Sequence, residues 1–395
     1  MKSLKLIIIS ISVLFVTSCS TNSPESYLRE IELIKERHIP DARLEYWDIH
    51  LAEGEVELIL SGATSSKVAY LELEKMAEQN NMDIQVELLP EQEFATDPWA
   101  LVTVSVCNIR AEGKHSAELV TQALLGTPVK VFKEVDGWFL IQTPDHYFGW
   151  VDEAAITRKS NEELEVWKKQ EKILYNKASG HGYFSDDWKN PEMDLVMGDL
   201  LNIVSSDSKA FKIVLPDGRI AFVKSDECIS LNVWKQKQID IEQLLSIAFV
   251  FKGTPYLWGG TSPKMFDCSG FTKTAYYMQG LILQRDASQQ TLYGELVDTG
   301  NGYNNLLPGD LLFFGRKETS ENPEKVTHVG LYMGGMKFIH ASGKVRINSL
   351  DPNSEDYTEY YEKAFVRARR IIGNVDGKGI EWIVDNEFYR QILSE

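Results

Sequence analysis

Residues 254–280 read TPYLWGGTSPKMFDCSGFTKTAYYMQG, and this stretch decides the fold of the last part of the chain. Its second half predicts a helix, with Asp267 at the N-cap position and Gly280 just past the end. Cys268 therefore falls in the first turn. Because the helix dipole and the unpaired amides of a first turn favour an anion, we expect the pKa of this thiol to fall. The same amides can hold a developing oxyanion, so one position offers a nucleophile and an electrophilic partner.

A second stretch supplies the base that a cysteine nucleophile needs. Residues 327–340, THVGLYMGGMKFIH, alternate as two strands joined at a glycine pair. A loop of those two glycines alone would place His328 and His340 on opposite faces of the sheet. We therefore expect a three-residue loop at 333–335, which sets the histidines directly opposite each other with β-carbons about 5 Å apart. His328 then acts as the base, and His340 orients its other ring nitrogen.

Four motifs in this region carry a family resemblance: Pro-Tyr-x-Trp-Gly-Gly, Asp-Cys-Ser-Gly, His-Val-Gly-x-Tyr-x-Gly and Phe-Ile-His-Ala-Ser. They resemble those of the NlpC/P60 family of cell-wall cysteine peptidases over about residues 240–372. The resemblance implies a papain-like domain with a catalytic triad of Cys268, His328 and His340, and with Tyr256 supporting the oxyanion region. Taken alone, a buried cysteine is usually inert and a strand histidine usually structural; their combination favours catalysis.

The chain also resembles the subfamily with preceding SH3-like domains, the γ-D-glutamyl-L-diamino-acid endopeptidases of dipeptidyl-peptidase VI type. These enzymes cut peptidoglycan stem peptides after γ-D-Glu when the N-terminal L-Ala is free. The resemblance implies that Asp286 binds the substrate ammonium and that Arg285 and Ser269 bind the glutamyl carboxylate. The other substrate-binding positions that it implies are Glu118, Tyr147, Trp258 and Asp267.

Three of these positions have a structural alternative. Glu118 is also compatible with a solvated surface charge, Tyr147 with a barrel-rim aromatic and Trp258 with a core residue. Ala287 departs from the subfamily, which often has a hydroxyl residue there. The preferred diamino acid and the stem length therefore stay open.

At 395 residues the chain has room for two to three domains of ordinary size. The fold class is α+β: a papain-like catalytic domain preceded by two small SH3-like β-barrels and a small N-terminal α/β unit. The predicted segments are an α/β unit at 26–98, SH3-like domains at 99–157 and 176–236, a helical connector at 158–175 and the catalytic domain at 237–395. Alternation predicts a strand over 43–50 within the α/β unit, to which we assign no chemistry.

The N-terminus predicts export. Residues 1–18 combine a basic start with a short apolar run, which is typical of a signal peptide and too short to span a bilayer. Val16-Thr17-Ser18-Cys19 resembles the bacterial lipobox, which implies lipidation of Cys19, with 19–25 as a tether; a plain secretory cleavage site is the alternative. We expect an exported lipoprotein of the cell envelope, on the periplasmic side of the outer membrane if the organism is Gram-negative.

The composition of the chain argues against nucleic acid and metal ions as partners. Lys and Arg number 41 against 58 Asp and Glu, giving a formal net charge of −17, and no basic cluster points to nucleic acid. No cysteine pair has zinc or redox spacing, so Cys107 and Cys228 are predicted to be small buried hydrophobes. We expect neither a metal nor another cofactor.

The predicted function is hydrolysis of the γ-D-glutamyl-L-diamino acid bond by acyl transfer through Cys268. The expected partners are peptides of the form L-Ala-γ-D-Glu-diamino acid, with the membrane reached through the lipid anchor only. Two alternatives stay open. One is a non-catalytic peptidoglycan-binding lipoprotein, and the other is an amidase or acyltransferase on the same fold.

Overall fold

The computed structural model describes residues 23–390. Within that range the chain forms two compact units, residues 23–40 with 47–86 and residues 41–46 with 87–390. The predicted signal peptide and Cys19 lie outside the described residues. No helix between residues 23 and 390 is long and apolar enough to span a bilayer.

The first unit is a small α/β fold in which two helices and a three-stranded sheet share one core. Its elements are α1 (Pro24–His38), β1 (Trp47–Glu53), β2 (Leu58–Thr64), α2 (Lys67–Asn80) and β3 (Asp83–Leu88), with sheet order β1-β2-β3. Ser66 caps α2 by accepting a hydrogen bond from the backbone N–H of Ala69. Ile34, Leu73 and Met76 lie in the core.

Two segments of the predicted 26–98 unit belong to the second unit instead. Residues 41–46 form a turn, not the start of the strand predicted over 43–50, and β1 begins only at Trp47. Residues 87–98 also group with the second unit. The reason is burial, because Phe94 packs in the core of the first barrel and is 1% exposed.

The first SH3-like barrel is a seven-stranded sheet with strand order β10-β4-β7-β8-β9-β5-β6. Its strands are β4 (Trp99–Val102), β5 (Val106–Arg110), β6 (Leu119–Leu124), β7 (Pro128–Val135), β8 (Trp138–Gln142), β9 (Phe148–Asp152) and β10 (Ile156–Arg158), with a short 3-10 turn at Glu153–Ala155. Alternating side chains, among them Val131 and Ile141, fill the core. Cys107 lies in this core and is fully buried.

A helical connector leads into the second barrel. Helix α3 (Asn161–Lys169) starts at the predicted capping box of Ser160 and Glu163. The second sheet has order β13-β12-β16-β15-β14-β11-β17. Its strands are β11 (Lys172–Tyr175), β12 (Ser179–Tyr183), β13 (Pro191–Val196), β14 (Leu200–Ser206), β15 (Ala210–Val214), β16 (Ile220–Lys224) and β17 (Cys228–Ser230), with a 3-10 turn at Ser225–Glu227. This sheet begins at Lys172, inside the predicted connector, because all four residues of β11 are buried and pair with β14 and β17.

The last part of the chain packs helices on a six-stranded antiparallel sheet of order β21-β26-β22-β23-β24-β25. The elements are α4 (Asn232–Lys235), α5 (Ile241–Val250), β18 (Thr261–Ser262), β19 (Met265–Phe266), α6 (Cys268–Tyr277), β20 (Leu281–Leu283), α7 (Ala287–Gln290), β21 (Glu295–Val297), β22 (Leu311–Arg316), β23 (Lys325–Gly334), β24 (Lys337–Ser342), β25 (Lys344–Ser349), α8 (Glu359–Ala364), β26 (Phe365–Arg370) and β27 (Ile380–Trp382). Phe271 and Ala275 of α6 share a core with Val329 and Ile339. This packing sets the start of α6 against the histidine hairpin β23–β24, which is the predicted papain-like arrangement.

Candidate active site

A groove of about 550 Å³ opens beside the first turn of α6. The predicted site residues that line it are Glu118, Tyr147, Tyr256, Trp258, Asp267, Cys268, Ser269, Arg285 and Asp286. The predicted catalytic histidines stand on the hairpin that packs against α6. Arg43 also lines the groove, although it belongs to the 26–98 segment to which the sequence analysis assigned no chemistry.

Cys268 is the first residue of α6 and is 7% exposed at the groove. Asp267 caps the helix, as predicted, by accepting a hydrogen bond from the N–H of Gly270 at 2.7 Å. The backbone N–H groups of Val329 and Ser269 hydrogen-bond to the thiol. Burial nevertheless raises the pKa of Cys268 to about 12, and the charge of Asp267 adds to the rise. The predicted fall is wrong, because desolvation of the thiolate outweighs the helix N-terminus.

The loop of the histidine hairpin differs from the prediction. Its two residues, Gly335 and Met336, both have positive φ, which suits the twist of a tight hairpin. A bulge in β23 just before the loop adds an unpaired residue and shifts the pairing. These two departures compensate, so His328 and His340 share one face, diagonally instead of directly opposite. His328 Nε2 lies 2.7 Å from His340 Nδ1.

Gly330 allows the two rings to meet. The register of the hairpin places Gly330 opposite His340 and on the same face as His328. A β-carbon at position 330 would lie 2.8 Å from Cδ2 of Phe338 and 3.2 Å from the β-carbon of His340. Any larger residue would therefore displace the Phe338 ring and press against His340, so the glycine of the His-Val-Gly motif suits the packing around the pair.

Asn348 on β25 extends the histidine pair, and the sequence analysis missed it. His340 Nε2 lies 2.9 Å from Asn348 Oδ1. Asn348 Nδ2 donates to the backbone oxygen of Asp356 at 2.9 Å and to Thr358 Oγ1 at 3.1 Å. Because a carbonyl oxygen only accepts, these bonds fix the amide with Oδ1 toward His340. The available signal was an asparagine inside a strand, where that residue is uncommon.

This orientation of the amide sets the proton positions along the relay. To donate to Asn348, a neutral His340 carries its proton on Nε2, so its Nδ1 accepts from His328 Nε2. A neutral His328 is then unprotonated at Nδ1. The relay therefore leaves His328 with one free ring nitrogen, which is the condition for a general base.

Aromatic side chains enclose both imidazoles. Phe338 and Tyr361 each lie 4.9 Å from the His340 ring, and Phe314 lies 5.9 Å from the His328 ring, centroid to centroid. Burial lowers the pKa of His328 to about 4. Burial and the neighbouring His328 lower the pKa of His340 to about 3. Both rings are neutral near pH 7, which agrees with the proton positions above.

Arg285 is buried beneath the groove and is 1% exposed. Its guanidinium pairs with both carboxylate oxygens of Asp267, and Nη1 donates to Ser269 Oγ at 3.1 Å. Asp267 also accepts from the N–H of Gly259 at 3.0 Å. Both oxygens of this carboxylate thus accept hydrogen bonds within the protein, so Asp267 fixes the positions of Arg285 and of the first turn of α6. Arg285 Nε has no partner among residues 23–390.

Asp286 meets the first barrel at the groove. Tyr147 donates its hydroxyl hydrogen to Asp286 Oδ2 at 3.2 Å, so the structure brings together two residues predicted from different domains. Burial and the neighbouring carboxylate raise the pKa of Tyr147, which keeps the phenol protonated as a donor. Arg43 Nη1 donates to the same oxygen at 2.8 Å. Nothing in the sequence pattern pointed to this third partner.

Glu118 of the first barrel also lines the groove, where it meets Trp258 of the loop before α6. Trp258 Nε1 donates to Glu118 Oε1 at 2.6 Å. Trp258 is 63% exposed, so it is a wall of the groove and not a core residue. The pair brackets the groove from the side of the first barrel.

Polar contacts fix the first barrel against this loop. Thr261 Oγ1 donates to the backbone oxygen of Gln122 at 2.8 Å, and Gln122 Oε1 accepts from the N–H of Thr261 at 2.9 Å and from Ser262 Oγ at 3.0 Å. Gly259 has φ +80°, and a β-carbon there would lie 2.2 Å from the backbone oxygen of Leu119. The barrel wall is therefore a fixed part of the groove.

Tyr256 stands beside the nucleophile. Burial and the neighbouring Cys268 raise the pKa of the Tyr256 phenol, so it keeps its O–H near pH 7. The backbone of Tyr256 is held by a hydrogen bond from its N–H to the oxygen of Gly343 at 3.0 Å. Tyr256 is thus a fixed hydrogen-bond donor near the thiol.

A thiol at a helix start, a base and an orienting relay define a cysteine hydrolase. A model of the NlpC/P60 family matches residues 253–370, and a model of the bacterial dipeptidyl-peptidase Sh3 domain matches residues 109–156. The γ-D-glutamyl-L-lysine dipeptidyl-peptidase of Bacillus cereus is 30% identical over 264 residues, which cover 63% of this chain and 75% of that protein. This chain therefore belongs to the NlpC/P60 family, and it is a peptidase of the cysteine type.

Two further comparisons cover a similar share of this chain. Dipeptidyl-peptidase 6 of Lysinibacillus sphaericus is 28% identical over 66% of this chain and 94% of its own length. The crystal structure of an NlpC/P60 family protein from Bacillus cereus superposes with a TM-score of 0.57 at 24% identity, over 69% of this chain and 99% of that one. That likeness supports the shared fold of barrels and papain-like domain.

Proposed function

We propose that this protein hydrolyses the bond between γ-D-glutamate and the diamino acid in peptidoglycan stem peptides whose N-terminal L-Ala is free. One observation carries the proposal: Glu118 and Tyr147 of the first barrel line the same groove as Asp286 and Cys268, and Tyr147 donates to Asp286, which lets the barrel close one end of the groove. A groove closed by anions and hydroxyl groups suits a short peptide with a free ammonium at its end. Relatives named γ-D-glutamyl-L-lysine dipeptidyl-peptidase in Bacillus cereus and Bacillus subtilis support this choice.

The reaction is an acyl transfer. His328 takes the proton of Cys268, and the thiolate attacks the γ-glutamyl carbonyl carbon. The oxyanion that forms accepts hydrogen bonds from the Tyr256 hydroxyl and from the first backbone amide of α6. His328 then gives the proton to the leaving amine, the diamino acid departs, and a water molecule activated by His328 hydrolyses the thioester.

The two ends of the substrate meet different charges. The ammonium of L-Ala binds among Asp286, Tyr147 and Glu118, and the glutamyl α-carboxylate binds to Arg285 and Ser269. Trp258 packs along the peptide as a wall of the groove. Because the groove is closed behind the ammonium, two substrate residues, L-Ala and γ-D-Glu, fit between the closed end and the cleaved bond.

Product identification tests the proposal. Purified protein is incubated with L-Ala-γ-D-Glu-diaminopimelate and with the corresponding lysine peptide, and the products are identified by mass spectrometry. We expect L-Ala-D-Glu and the free diamino acid. Cleavage after L-Ala, or transfer of the acyl group to an added amine in preference to water, would favour an amidase or acyltransferase on this fold. An intact peptide together with binding to isolated peptidoglycan would favour the non-catalytic alternative.

The pH profile of kcat/KM follows from the buried base. His328 must be neutral to accept a proton, and burial lowers its pKa to about 4, so activity is lost only as the pH falls through that value. On the alkaline side the ammonium of the substrate deprotonates near pH 8, at about the ordinary α-amino pKa. We expect a plateau between these limits, measured as initial rates in constant ionic strength. An acid limb near pH 6.5 would contradict a desolvated base.

Asn348→Leu will lower kcat about tenfold with little change in KM, because a positioning residue acts through the groups that it orients. Without the amide oxygen, His340 is free to carry its proton on Nδ1, which removes the acceptor for His328. The matched control is Asn348→Asp, whose carboxylate keeps an acceptor but favours protonated His340. That variant will move the acid limb of the pH profile to higher pH. Unchanged profiles in both variants would assign Asn348 a packing role only.

We also propose that the protein is exported and held at the cell envelope by lipid on Cys19. The basic start, the short apolar run and the resemblance to a lipobox support this. In cells fed a radiolabelled fatty acid, the full chain is expected to carry label and to sediment with membranes. The Cys19→Ala variant should lose both properties, and label that stays on this variant would contradict the proposal.

A further inference from the structure

The turn at residues 41–46 is built onto the first barrel. The N–H of Phe148 donates to the backbone oxygen of Arg43 at 2.8 Å, and Gln142 Nε2 donates to the oxygen of Leu44 at 3.4 Å. The rings of Tyr46 and Phe148 pack with centroids 6.1 Å apart. Strands β8 and β9 thereby hold the backbone that presents Arg43 to the groove.

All three nitrogens of the Arg43 guanidinium are engaged. Nε and Nη2 donate to the two oxygens of Asp41, each at 2.7 Å, in a bidentate pair. Nη1 donates to Asp286 Oδ2 at 2.8 Å and to Ser288 Oγ at 3.0 Å. The side chain is 38% exposed, so this cation borders the groove and is not sealed beneath it.

A closed hydrogen-bonded ring fixes this arrangement. Gln289 Nε2 donates to Asp41 Oδ2 at 2.8 Å, and Gln289 Oε1 accepts from the N–H of Asp286 at 3.0 Å. Together with the Arg43 bonds, each of the four residues is held by its two neighbours in the ring. The guanidinium is therefore prepositioned on Asp286 before any ligand enters.

The same carboxylate is the one that binds the ammonium of L-Ala in the proposed function. Its Oδ2 already accepts from Arg43 and from Tyr147. An ammonium that approaches Asp286 either takes the place of Arg43 on Oδ2 or binds Oδ1 with a guanidinium a few ångströms away. In both cases its attraction to the carboxylate is weakened by an internal cation.

We propose that Arg43 is a specificity-determining residue of the amine pocket, an internal guanidinium that competes with the substrate ammonium for Asp286 and so sets the affinity for free-amine peptides. This inference rests on the proposed function. Asp41 neutralises Arg43, so the effect is local to Asp286 and not a change in the total charge of the groove. The turn at residues 41–46 thereby sets the affinity for the ammonium at the closed end of the groove without contacting Cys268.

Calorimetric binding of the product dipeptide L-Ala-γ-D-Glu tests the inference without turnover. We expect the Kd to fall about tenfold in Arg43→Met, because one of the two guanidinium groups on Asp286 is then gone and only Arg285, with Nη1 3.8 Å from Asp286 Oδ1, still competes with the ammonium. Arg43→Lys keeps the charge and should stay within about threefold of the wild type. In Asp41→Asn/Arg43→Met the summed charge of the groove equals that of the wild type, and the dipeptide should still bind more tightly. The affinity for the N-acetylated dipeptide should not rise in any variant.

The outcomes separate the two proposals. If the wild type cleaves the tripeptide and binds the dipeptide, but Arg43→Met binds it equally or more weakly, Arg43 positions Asp286 and the competition is overturned. A gain in Arg43→Met that vanishes in the double variant also overturns it, because the gain then comes from the charge of Asp41. If the wild type neither cleaves nor binds, the proposed function itself falls, and this inference falls with it. Thermal unfolding of each variant checks that the fold is kept.

Discussion

Replacing Cys268 with alanine will lower kcat/KM for the tripeptide by about 10⁴-fold or more, because the proposed acyl transfer uses this thiol as its nucleophile. The affinity for the product dipeptide should change little, since the ammonium and carboxylate contacts lie elsewhere in the groove. Initial rates and calorimetry on the same preparations measure both quantities. The expected result is an inactive protein that still binds.

Another cysteine of the same chain is the matched control. Cys228 on β17 is half-buried in the second barrel, which contributes no side chain to the described lining of the groove. Cys228→Ala should therefore keep its activity within about twofold, as substitutions away from a site usually do. Comparable losses in the two variants would show that the thiol at position 268 has no special role.

Acetylation of the substrate amine is expected to have the next largest effect. Acetyl-L-Ala-γ-D-Glu-diaminopimelate should be cleaved on the order of 10²–10³-fold less efficiently than the free-amine peptide, because a closed polar pocket rejects a ligand that cannot match it. In the proposed amine pocket, Glu118 and Tyr147 stand where the added acyl group would have to fit. The measurement compares kcat/KM for the two peptides at pH 7.

The variants at the closed end sharpen this comparison. In Tyr147→Phe, which loses only the hydroxyl, the ratio of kcat/KM for the free-amine peptide to that for the acetylated peptide should decrease, because Asp286 loses a hydrogen-bond donor that fixes its position. In Arg43→Met the same ratio should increase, because the ammonium no longer competes with the Arg43 guanidinium. Equal turnover of the two peptides by the wild type would remove the basis for an amine pocket.

The catalytic centre was predictable because its signals are local. Asp267 and Cys268 follow from helix-capping rules, and the shared face of His328 and His340 follows from alternation once an odd loop between the strands is assumed. The face was correct although the loop was not, because the bulge in β23 compensated for the shorter loop. Neither the bulge nor the loop length can be read from a run of apolar and glycine residues.

The prediction that the pKa of Cys268 falls was wrong for a different reason. A helix N-terminus is visible in the sequence, but the desolvation that outweighs it depends on how tightly α6 packs on β23 and β24. Burial of that kind arises from tertiary contacts. Near pH 7 the resting pair is therefore a neutral thiol and a neutral imidazole.

Long-range partners were beyond the sequence analysis. Arg43 meets Asp286 across 243 positions of the chain, and Gln122 meets Thr261 across 139. Asn348 reaches His340 through the pairing of β24 with β25. Arg43 and Gln122 are ordinary in their local sequence, and for all three residues the partner is set by the packing of the barrel and sheet.

A covalent acyl-enzyme is the central claim, and rapid quenching tests it most directly. The wild type is mixed with excess L-Ala-γ-D-Glu-diaminopimelate, quenched in acid within milliseconds and analysed by intact mass and peptide mapping. We predict a transient adduct with the mass of the dehydrated L-Ala-γ-D-Glu dipeptide, located on Cys268 and absent from the Cys268→Ala variant. An adduct on any other residue, or undiminished turnover by that variant, would contradict the account.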